Sequence, residues 1–172
     1  MAKGLPRSLS RGAAQDRPVI KQRLTISETV TVTAVSTAIG FGSAVISDFE
    51  EGNVLLLGCV ATLAFAGSGS DANLADDWSG DFGIGSTPAS DATITGADVD
   101  ILASQALDTA SSEAHASARY ADPGVAIIDN TDGSAEMNLN LLIDAADITD
   151  DESVDITVTG YVDIVYTMIG DD

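Results

Sequence analysis

His115 is the one histidine of the chain and Cys59 the one cysteine, so the side chains that do most nucleophilic and metal chemistry are almost absent. A Ser-His-Asp relay needs a base with a nucleophile and an orienting acid around it, and a lone histidine between Ala114 and Ala116 reads as a surface or core residue. The acids invite a calcium reading. Asp129 to Gly133 has the look of an EF-hand loop, but aligning Gly133 with the invariant glycine puts Ile128 at the first ligand position, and the match fails. Asp147, Asp150, Asp151 and Glu152 leave an irregular calcium site open. Carboxylate pairs suited to glycoside hydrolysis are found on any Asp-rich surface and carry no specificity here. The glycines of GSGSD and GIGS, between Gly67 and Pro88, precede no amphipathic helix, so a phosphate loop fails its context. The expectation is a protein that is not an enzyme, with no cofactor and no metal, whose function lies in its surfaces.

Charge is what those surfaces carry. The 172 residues have a formal charge of −20, unevenly spread. Lys3, Arg7, Arg11, Arg17, Lys21 and Arg23 are six of the seven basic residues, opposed before residue 24 by Asp16 alone; beyond it, Arg119 stands against all the other acids. The sequence thus divides into a basic extended arm, residues 1–23, and an acidic body, residues 24–172. Pro6, Gly4, Gly12 and scattered serines give the arm no apolar period, and it has no apolar core of the signal-peptide type. An acidic body keeps a protein soluble, and it opposes approach to a nucleic acid even where an arm could meet phosphates.

The body reads as strands. From Val154 the even positions Val154, Ile156, Val158, Val162, Ile164 and Tyr166 are apolar, while Asp155, Thr157, Thr159 and Asp163 alternate with them, a period of two that sets one face on a core. Met137, Leu139, Leu141 and Ile143 alternate with Asn138 and Asn140 upstream, and the two runs are expected to pair as neighbouring antiparallel strands. Leu24 to Thr37 predicts a strand with Leu24, Ile26, Val30, Val32 and Ala34 inward, and Glu28 marks an open edge. Gly40 and Gly42 predict a turn around Phe41, followed by a strand over Ala44 to Phe49. Val54 to Phe65 is apolar on both parities, which predicts a strand hidden on both faces, and it is too short for a membrane helix. Cys59 inside it is a small core hydrophobe. Short strands are expected at Asp81 to Gly85, Thr93 to Thr95 and Val125 to Ile128; Val99 to Leu107 fits a helical turn or a strand, and the Ala/Ser stretch up to Tyr120 stays unassigned. The predicted class is an all-β antiparallel sandwich of one core with an extended N-terminal arm.

The closing stretch LNLLIDAADITDDESVDITVTGYVDIVYTMIGDD, with AIIDNTDGSAEMNL before it and DWSGDFGIGSTPASDATITG earlier, resembles the small all-β structural proteins of marine tailed bacteriophages that decorate or cement capsids. The resemblance spans about residues 24–172 and is strongest in the last 45 or so. It implies a jelly-roll-like body, homotrimers, and an arm gripping the major capsid protein on the outer surface of the virion, after assembly in the host cytoplasm. Lys3, Arg7, Arg11, Arg17, Lys21 and Arg23 are then the partner-binding residues, with no direct contact to nucleic acid and none to membrane. The alternatives are a tail-tube or head–tail completion subunit, and a carbohydrate-binding module with Trp78, Phe82 and Tyr120 as a sugar platform.

Overall fold

In the computed structural model the described residues are 19–35, 38–67, 71–108, 114–122 and 126–170. They form an all-β fold of nine strands: β1 (Ile20–Thr33), β2 (Gly40–Asp48), β3 (Asn53–Ala66), β4 (Gly80–Gly85), β5 (Leu102–Leu107), β6 (Ala114–Asp122), β7 (Ala126–Ile128), β8 (Glu136–Ile143) and β9 (Ser153–Gly170). A single 3-10 turn, Gly96–Asp98, is the only helical element among the described residues. The strands make one antiparallel sheet in the order β5-β4-β8-β2-β1-β9-β3-β6, with β7 beside β6 on the far edge of β3. The sheet curls until it is nearly closed into a barrel. Where β5 and β6 approach, a side chain spans the seam: the Ala103 N–H donates to Asp122 Oδ2 at 3.0 Å. Inside, Phe82 of β4 meets Tyr120 of β6 edge-on at 4.7 Å, so the rings seal what the backbone leaves unpaired.

The period of two in β9 holds from Val154 to Tyr166 on either side of Gly160. Val154, Ile156, Val158, Val162, Ile164 and Tyr166 are buried, and the Asp/Thr face is outward. The strand is central because it is paired on both sides, to β1 and to β3. The Met137–Ile143 run is a strand too, but it is not the neighbour of β9. It pairs with β2 and β4, and β2 and β1 stand between the two. The acidic connector makes its own bonds instead of a hairpin: Leu74 bridges Ile148, the Ala75 N–H donates to Asp147 O, and Thr149 N–H donates to Asn73 O.

Other expectations are corrected by packing. β1 begins at Ile20, not Leu24, because residues 20–23 pair in register with Tyr166 to Asp163. Its paired contact with β2 is at Thr33 opposite Phe41, so Glu28 stands exposed on an open side. Gly40 and Gly42 lie within β2 rather than in a turn; a Cβ at Gly42 would sit 2.2 Å from Thr31 O, so glycine there allows two backbones to cross. β3 is buried on one face, not two. Val54 and Leu56 point in, a bulge at Gly58 (φ 155°) advances the register, and Cys59, Ala61, Leu63 and Phe65 point in thereafter. Asn140, on the polar parity of β8, is buried under the 86–101 loop and fully used: Oδ1 accepts from Ser43 Oγ and Ala89 N, and Nδ2 donates to Thr87 O and Asp98 O. Thr93–Thr95 is not a strand, since Asp91 Oδ1 draws Thr93 N and Oγ1 into a tight turn. Leu102–Leu107 settles the helix-or-strand ambiguity as strand, and the unassigned Ala/Ser stretch is β6.

Candidate functional site

Lys21 and Arg23 occupy odd positions of β1, the parity that the strand turns outward, and both are exposed. Across the ladder Arg23 faces Asp163 of β9, which faces Val60 of β3, which faces Ala121 of β6; one step along, Thr25, Tyr161, Thr62 and Arg119 form the next row. The basic residues of two strands, β1 and β6, therefore meet on one outer face across β9 and β3. They line an open groove of about 580 Å³ with Val60, Tyr161 and Asp163. Among the described residues, Lys21, Arg23 and Arg119 are the whole cationic set of an acidic body.

The groove has one fixed pair and two cations facing solvent. Arg23 Nε donates to Asp163 Oδ1 at 2.7 Å and Nη2 to Oδ2 at 2.6 Å, a fork-to-fork arrangement, while the guanidinium carbon lies 4.1 Å from the Tyr161 ring centre. The hydrogen bond from Arg23 lowers the Asp163 pKa and in turn raises that of Arg23. Asp122 at the groove wall is engaged by the seam bond to Ala103. Arg23 to Asp163 is the ion pair formed among the described residues, and it does not include Lys21 or Arg119. Lys3, Arg7, Arg11 and Arg17 lie outside the described residues.

The side chains that could do covalent or acid–base work are differently placed. Cys59 is buried in the core, and burial, helped by Asp122 and Asp163, pushes its thiol up to about 12, far from the thiolate a nucleophile requires. His115 packs edge-on against Trp78 at 4.2 Å, and burial lowers its pKa. Asp147 Oδ2 accepts from Ser79 N and Oγ, and Asp144 Oδ2 from Ser79 Oγ, so these acids anchor the 71–79 loop to the connector. Asp129 and Asp132 each accept from the residue two positions on, in turns. Among the described residues no three His, Cys, Asp or Glu side chains converge as metal ligands. Trp78 and Phe82 are fully buried and Tyr120 packs on Phe82, which places the expected aromatic platform inside the core.

Arg119 and Tyr161 line this groove and are not among the residues that the sequence suggests for partner binding. The signal for Arg119 was its isolation, one base in a long acidic stretch; for Tyr161 it was the outward parity it shares with Asp163. No protein-family model, no curated protein and no solved structure matches the chain.

Proposed function

We propose that this chain is a virion structural protein: a decoration subunit that sits on the outside of a tailed-phage capsid, binds the major capsid protein and reinforces the shell. The observation that carries this reading is the segregation of charge. The cations of the described residues share one outer face, β1 delivers the end of the basic N-terminal run onto that face, and the remaining surface is acidic. Lys3, Arg7, Arg11, Arg17, Lys21 and Arg23 make the attachment. The acidic remainder stays in solvent and opposes the approach of nucleic acid. The resemblance of the closing strands to phage decoration proteins supports the same role, as does a nearly closed barrel, which leaves little free edge for stray strand pairing. In this reading the barrel is a variant of the jelly-roll-like sandwich, and the subunits assemble as homotrimers at symmetry positions of the shell.

The test is a quantitative mass-spectrometric count of copies in purified particles. Decoration predicts a copy number that scales with that of the shell protein. A number fixed at a few ring-forming copies would place the chain in the tail or the head–tail connector, and its absence from particles would end the virion reading.

A further inference from the structure

We infer that the outer-face groove formed by Lys21, Arg119 and the Arg23–Tyr161 stack continues the attachment surface across the sheet and receives an acidic segment of the shell protein. The inference rests on the decoration reading for the identity of the partner. Three observations on the groove fix the kind of occupant. Its lining carries three cations, Lys21, Arg23 and Arg119, against two carboxylates, Asp163 bonded to Arg23 and Asp122 bonded to the Ala103 N–H, so the groove is net positive on an acidic body and favours an incoming anion. The Arg23–Asp163 fork stacked on Tyr161 is itself a carboxylate held in this groove, a pattern that a neighbouring carboxylate from outside extends. The floor is apolar at Val60 and Val165, and beyond the groove Leu57 and Ile127 stand exposed at 36% and 66%. A protein segment that alternates acidic and apolar side chains matches both parts of this face. A nucleic acid matches only the charges, and it would bring phosphates against an acidic body along its whole length. Arg119 and Tyr161, remote in sequence from the N-terminal run, thus extend its basic surface across the sheet.

The experiment uses the full chain and undecorated shells, with binding read by co-sedimentation over a salt series. The variant Lys21→Gln with Arg119→Gln removes the two solvent-facing cations, and Arg119→Gln alone, which removes the one outside the basic run, is expected to weaken binding by itself if the groove is used. The control Ser90→Asp with Ala97→Asp makes the same change in net charge at exposed positions of the 86–101 loop. The groove variant is expected to bind about tenfold more weakly at low salt, with the difference shrinking as salt rises, and the control to bind as the original chain does. Leu57→Ser with Ile127→Ser is expected to weaken binding at high salt as well, and equal far-ultraviolet circular dichroism checks that each variant is folded. If the original chain binds shells and the groove variant binds equally well, the inference fails and the decoration reading stands. If the original chain does not bind shells at all, the decoration reading fails and the assigned partner with it. Concentration-dependent self-association abolished by Lys21→Gln with Arg119→Gln, or capture of oligothymidylate as tight as that of shells, would give the groove to another occupant and overturn the inference.

Discussion

Arg23 and Asp163, 140 positions apart in the chain, stand opposite each other on β1 and β9 and close a two-pronged ion pair at 2.7 and 2.6 Å over the Tyr161 ring. The pair joins the end of the basic run to the central strand, so it orients the groove more than it holds the fold. Arg23→Ala is expected to lower the melting temperature by no more than about 2 °C, an effect that fades with added salt. Because the Asp163 pKa is lowered in the folded chain, its contribution is complete above the ordinary value of 3.8 and is lost as pH falls through the lowered one. Melts of Arg23→Ala, Asp163→Asn and the double variant would check this: the three-way difference should vanish at low pH.

Gly160 breaks the apolar parity of β9 for a steric reason. Its φ is 138°, and a Cβ there would sit 2.0 Å from Thr62 O on the paired strand. Gly160→Ala is expected to cost on the order of 3 kcal/mol or more, because backbone must move to admit the methyl. Gly96 also has a positive φ, 61°, but nothing lies within 4 Å, so Gly96→Ala should cost only about 1 kcal/mol. Urea unfolding of the two variants separates crowding from backbone preference; equal losses would mean that the close approach of β9 and β3 is wrong.

Ile156 and Ile164 are buried while Thr157 between them is exposed. Ile156→Asp or Ile164→Asp leaves an unpaired charge in the core and is expected to cost on the order of 4 kcal/mol, enough to prevent folding, whereas Thr157→Asp should stay within about 0.5 kcal/mol of the original. Soluble yield and denaturant midpoints decide it.

His115 gives the fold a mild sensitivity to acid. Burial lowers its folded pKa below the ordinary 6.5, so the unfolded chain binds the proton more readily. The stability that goes with a neutral His115 is present above about pH 6.5 and is lost as pH falls through the lowered folded value. His115→Gln should therefore lose less melting temperature than the original chain between pH 7.5 and 5. The fluorescence of Trp78, the only tryptophan, reports both melts.

Strand faces were legible wherever apolar and polar residues alternate strictly, as in β9 and β1. Pairing was not, because a long acidic connector between two good strands reads like a hairpin loop, while its hydrogen bonds go to the 71–79 loop. The two-sided apolar look of β3 hid a bulge at Gly58, since advancing the register by one residue changes which parity faces the core. β6 escaped assignment because its Ala and Ser side chains are mostly exposed and give no apolar period. For the groove, Lys21 and Arg23 share the parity of Thr25 and Ser27, so their outward placement on β1 was open to reading. The meeting with Arg119 and Tyr161 was not: it depends on β9 and β3 lying between β1 and β6.

The central claim is that the basic run attaches an acidic body to a shell, and its most direct measurement compares the full chain with residues 19–172 in co-sedimentation with undecorated shells across a salt series. The cut belongs before Val19 rather than after Arg23, because β1 begins at Ile20 and residues 20–23 pair with β9. The account predicts that the full chain pellets with shells at low salt and is released as salt rises, and that the shortened chain, folded by circular dichroism, binds much more weakly at every salt concentration. Equal binding by the two forms, insensitive to salt, would contradict it.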